Sequence, residues 1–103
     1  LPYVEYFPWV EHPRRAEFLE VLARRIVSIA EEGGYADAWH FFDHVGPSTG
    51  ELARRVPGSL IAAQLDRLRG EQQPDGGWTT PYDPLWRPWA TSSAVATLLD
   101  FGT

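Results

Sequence analysis

The chain contains no cysteine, which at once excludes disulfides, thiolate metal sites and a cysteine nucleophile. It contains no lysine either, and its nine arginines are outnumbered by fourteen acidic residues, leaving a net charge of -5. A surface dedicated to nucleic acid needs an excess of basic charge, so that class of partner is not expected. No apolar run approaches the about 20 residues that cross a bilayer, so no membrane span is expected. With no methionine and no signal-like start, the sequence reads as a piece cut from a longer chain, soluble and cytoplasmic. Sustained period-two alternation is also missing, which removes the signature of half-buried strands and leaves an all-α fold.

What is present is enough for a core. Apolar residues make up 44% of the 103 positions and aromatics 14%, too hydrophobic for a disordered tail. A chain of this length forms one small domain, or part of one, hiding roughly two-thirds of its unfolded surface.

Residues 1–12, "LPYVEYFPWVEH", carry aromatics at 3, 6, 7 and 9 among two prolines and read as an extended arm that needs a surface to lie on. From Pro13, the residues Phe18, Leu19, Leu22, Ile26, Ile29 and Ala30 recur at helical spacing until Gly33-Gly34. Glu20 and Arg24 are placed for a pair along this helix, but Arg14-Arg15 and Glu31-Glu32 oppose its dipole, so packing must hold it. A helix of about three turns is expected within Tyr35–Gly46, with Trp39 and Phe42 on one side. Ser48 and Glu51 match a capping box for a brief helix to Val56, and Ser59 stands at the start of the next. That helix runs to Gly70 with Leu60, Ile61, Leu65 and Leu68 inward. Pro81, Pro84 and Pro88 then interrupt regular structure until Thr91 or Ser92 caps a last helix, with Ala94, Val95, Leu98 and Leu99 on its face and Gly102 at its end.

Between the last two helices lies "QQPDGGW", Gln72 to Trp78. Gly76-Gly77 opens dihedrals closed to other residues, Pro74 stiffens the entry, Asp75 bonds nearby amides, and Gln72 or Gln73 ties backbone groups at the turn. The ring of Trp78 is thereby aimed back across the preceding helix. A helix ending in this stretch, a Pro-rich link and a second helix resemble the QW-type repeat of the terpene cyclase and protein prenyltransferase superfamily, over residues 58–102. The matching positions are Gln73, Gly76 and Trp78, with Leu65 and Leu68 upstream.

The resemblance implies helical hairpins of α/α toroid type, here an incomplete ring, with Gln73, Asp75, Gly76, Gly77 and Trp78 as structural residues. "EEGGY" is a fainter echo, placing Tyr35 where Trp78 stands 43 residues later. The family's acid motif DxDD and diphosphate motif DDxxD are absent, and its zinc site needs a cysteine. No catalytic residue and no cofactor are therefore assigned. Any isoprenoid or other apolar substrate belongs to a parent whose reactive residues lie elsewhere.

Two residue groups invite chemistry. Tyr82, Trp86, Trp89 and Phe101 suit an apolar pocket that would take an apolar small molecule, although core filling accounts for them as well. Asp37, His40 and His44 lie one helical turn apart, a spacing that suits a divalent metal and a hydrolase, but an edge-of-core pair is the commoner outcome and no metal is assigned. The rival to the toroid reading is a non-catalytic module that self-associates, or joins the rest of a longer chain, through its aromatic arm and unclosed faces.

Overall fold

A computed structural model describes residues 13–80 and 84–102, so the expected arm at 1–12, His12 and Tyr82 lie outside the described residues. Among the described residues five α-helices follow one another: α1 Arg15–Glu31, α2 Ala38–Val45, α3 Glu51–Arg55, α4 Gly58–Gly70 and α5 Arg87–Phe101. A 3-10 turn, Pro84–Trp86, leads directly into α5. The described residues contain no strand, so the all-α expectation stands.

The eight-residue α2 organises the rest. In α2 the residues Ala38, Trp39, Phe41, Phe42 and Val45 are all buried, so it is covered on nearly every side and not along one stripe. It packs against α1, α4 and α5, while α3 lies on α1. Helices α4 and α5, neighbours in sequence, touch each other little and share α2 instead. Leu19, Ala23 and Ile26 of α1 and Leu65 and Leu68 of α4 complete the core with Leu52 and Val56.

α1 has no side-chain cap; Arg14 occupies the capping position and pairs with Glu17. Its charges are used across the fold: Arg15 reaches Glu51 at 2.6 Å and Glu20 reaches Arg55 at 3.2 Å, both on α3. Glu20 therefore does not form the expected pair with Arg24, whose guanidinium faces the Glu20 carbonyl at 3.5 Å. The Arg15 guanidinium holds the Glu51 carboxyl below its ordinary value, chiefly by hydrogen bonding.

Three expected caps are replaced. Gly50, not Ser48, precedes α3, and Ser48 instead donates from its backbone N and Oγ to the Asp100 carboxylate at 2.9 and 2.5 Å, joining the α2–α3 link to the end of α5. Pro57 precedes α4, which leaves Ser59 inside the helix without a capping role. The last helix starts at Arg87, four residues before Thr91, because a proline in the first turn sacrifices only an amide that has no helical partner. The inward face of α5 is accordingly Ala90 and Ala94, flanked by Leu98 and Phe101, and Val95 and Leu99 point to solvent. No helix among the described residues is long and apolar enough to cross a membrane.

Candidate functional site

The turn from Gln72 to Trp78 closes on itself before it touches anything else. The Gln73 amide donates to the Gly77 carbonyl at 2.7 Å, and the Gly76 amide donates to the Gln73 carbonyl at 2.8 Å. Both glutamine side chains serve this loop, Gln72 Nε2 donating to the Gly76 carbonyl at 2.9 Å and Gln73 Nε2 to the Glu71 carbonyl at 3.0 Å. Asp75 Oδ1 accepts from the Gly77 amide at 3.0 Å and pairs with Arg87 at the start of α5. That amide, aided by the Arg87 guanidinium, holds the Asp75 carboxyl below its usual range.

The two glycines are needed for different reasons. Gly76 has φ +90, a region that L side chains rarely adopt. Gly77 has ordinary φ but no room: an added Cβ would lie 3.1 Å from both Arg87 Nη2 and Thr91 Oγ1. Close approach of the loop to α5 lets the Trp78 amide donate to Thr91 Oγ1 at 2.9 Å. The indole turns the other way. It is 3% exposed, and its Nε1 donates at 2.8 Å to the Leu68 carbonyl, in the last turn of α4 where helical partners run out. One residue thus ties α4 and α5, which scarcely meet directly.

Tyr35, the fainter echo, is also buried after a glycine pair whose first member, Gly33, has positive φ. Its polar end is used differently: the hydroxyl meets His44 Nδ1 at 3.0 Å, forward along the chain and not back onto α1. Burial pushes the Tyr35 phenol up to about 12. Burial also lowers His44 below its ordinary value, against the opposing pull of Asp43.

The metal candidates are engaged separately. Asp37 caps α2, its Oδ1 accepting from the His40 amide at 3.1 Å and pairing with His40 Nδ1 at 2.5 Å, while the His40 ring stacks on Trp39 at 3.8 Å. His44 faces Tyr35. No group of three His, Asp or Glu side chains among the described residues is placed to hold a metal ion.

The expected aromatic pocket divides. Trp86 and Trp89 lie together, centroids 5.5 Å apart and both about half exposed, with Trp89 edge-on to the buried Trp39 at 5.8 Å. Phe101 is about 18 Å further along α5, counting 1.5 Å per residue, and packs on Phe42 at 4.9 Å. Trp86, in the 3-10 turn, and Trp89 thus stand at the start of α5 and Phe101 at its end. A cleft of about 300 Å³ opens elsewhere, between Asp37, Trp39, Glu71, Gln73 and Thr79.

Glu71, which lines that cleft, and its neighbour Arg67 were missed in the sequence. Arg67 Nη2 donates to the carbonyls of Tyr35 and Ala36 at 2.9 and 3.0 Å, and Glu71 Oε1 accepts from the Ala38 amide at 2.9 Å. Together they bind the end of α4 to the entry of α2. The i,i+4 spacing of Arg67 and Glu71, which also pair at 3.0 Å, was the available signal. Comparison with known proteins found no matching family model, no matching curated protein and no matching solved structure.

Proposed function

We propose that this chain is a non-catalytic helical unit, built from hairpins of the α/α toroid type, that works by packing against another helical unit. The observation that carries the reading is the outer face of α5. Between Arg87 and Asp100 the helix has no charged residue, and its Trp89 and Leu99 are 54 and 78% exposed, with Leu85 of the preceding 3-10 turn 84% exposed. Its inner face is Ala90 and Ala94 with Leu98 and Phe101 beside them, yet Trp89, Val95 and Leu99 still point outward, more apolar surface than a helix ending at water needs. An apolar face of this kind marks a place where another surface sits. The toroid type is supported by the Gln73–Trp78 turn, which links two helices through a buried indole as the resemblance implies for that family. The Asp and His candidates are occupied with capping and packing, which supports a role without chemistry.

The experiment is to replace Trp89 and Leu99 together by glutamate. The parent chain is expected to bind an apolar dye or to gain mass with concentration in light scattering. The variant should lose both while keeping its helical circular dichroism, because Leu99 is largely exposed and Trp89 touches the core only at the edge of Trp39. A parent chain that stays monomeric, binds no dye and behaves like the variant would overturn the reading.

A further inference from the structure

The link between α2 and α3, residues 46–50, is held to the end of α5 through Ser48. Its backbone N donates to the Asp100 carboxylate at 2.9 Å and its Oγ at 2.5 Å, and this contact lies at the surface. The link turns tightly, with the Gly50 amide donating to the Pro47 carbonyl at 2.9 Å, so Ser48 stands inside a short turn between two helices. Arg54, an exposed residue of α3, donates from Nη2 to the Thr49 carbonyl at 3.2 Å. The Ser48 hydroxyl therefore has an anion as its present acceptor and a cation held beside the next residue. We propose that Ser48 is a phosphorylation site, and that a phosphoryl group on its oxygen moves the link from Asp100 to Arg54 and frees the last turn of α5.

The step is a group transfer. Oγ bonds to the terminal phosphorus of a nucleoside triphosphate as the bond to the diphosphate breaks, and the hydroxyl proton leaves to a base of the kinase. The proton that Oγ now donates to Asp100 is thereby lost, and a group carrying about −1.5 to −2 charge takes its place. That charge meets the Asp100 carboxylate next to the C-terminus of α5, where the helix dipole is also negative, so both repel it. The Arg54 guanidinium, by contrast, gains a phosphate oxygen to which it can make a charge-assisted bond in place of a neutral carbonyl. Ser28 also donates to a carboxylate, that of Glu32 at 3.3 Å, but along a single helix, where the same change would release no second element. At Ser48 the effect reaches the core, because Asp100 is followed by Phe101, whose ring packs on Phe42 at 4.9 Å.

The test is the full chain carrying phosphoserine at position 48, introduced during synthesis, with amide hydrogen exchange followed by NMR. Loss of two bonds to a charged acceptor should speed exchange in the last turn of α5 by roughly tenfold and leave α1 unchanged. Ser48→Ala, which removes one bond and adds no charge, should have a smaller effect. In Asp100→Asn, already without the charged acceptor, phosphorylation should change exchange little. Phosphorus NMR reads the other arm: the phosphate's second pKa, about 6 when free, should rise on Arg54→Gln because a cation that favours the dianion is gone. The chain recovered from the cells that make it should carry phosphate on the peptide containing Ser48. Three results each overturn the proposal: equal exchange in the phosphoserine and Ser48→Ala chains, a phosphate titration that Arg54→Gln does not move, or no phosphate on that peptide.

Discussion

Trp78→Ala tests the link between α4 and α5 most directly. The indole is almost fully buried among core residues, and truncating a buried tryptophan costs about 3–5 kcal/mol, from lost transfer energy and the cavity left behind. Trp78→Phe separates the ring from its hydrogen bond. It keeps most of the apolar area and removes the Nε1 donor to the Leu68 carbonyl, but that carbonyl also accepts from the Glu71 amide at 3.2 Å and is not orphaned. The expected loss is therefore near the lower part of the ~1–3 kcal/mol range for a broken buried bond. Urea unfolding followed by circular dichroism at 222 nm measures both without relying on the deleted fluorophore. For a domain of about 100 residues, 1 kcal/mol corresponds to roughly 4–8 °C in Tm, so W78A should melt at least ~12 °C lower. A W78A loss below about 1 kcal/mol would refute the brace, because no buried indole is removed so cheaply.

Gly76→Ala should cost about 1–2 kcal/mol for forcing a side chain into the left-handed region, measurable in the same unfolding assay. Stability should fall as pH drops below neutral. His44 has a folded value lowered by burial, so its contribution is complete above the unfolded value of about 6.5 and is lost as pH falls through the folded one. His44→Gln should flatten that slope, and an unchanged slope would remove His44 as its source. A double-mutant cycle on Arg15 and Glu51 should give a coupling of about 0.2–1 kcal/mol that shrinks with added salt, since both side chains are partly exposed.

The helices were legible where a long apolar period carried them, as in α1, or where glycine and proline marked their ends, as in α2 and α4. The polar partners were not. Ser48 has the right spacing to Glu51 for a capping box, and only the tertiary approach of Asp100, 52 residues away, diverts its hydroxyl. Thr91 resembled a cap for the same reason and turned out to receive the Trp78 amide. The start of α5 was hidden because Pro88 reads as a breaker unless it falls in the first turn. The Gln73–Trp78 turn was readable in its residues, since glycine, proline and aspartate impose local geometry, whereas the Leu68 carbonyl as the indole's acceptor requires knowing where α4 ends.

The central position of α2 has a consequence for how this protein is made. An eight-residue helix has little intrinsic stability, and its aromatic residues are covered by segments encoded both before and after it. The cover over Trp39 and Phe42 is complete only once α5 is present, with Trp89 against Trp39 and Phe101 over Phe42. A truncated chain ending before Arg87 should consequently be recruited by chaperones or degraded, even though it would retain α1 to α4.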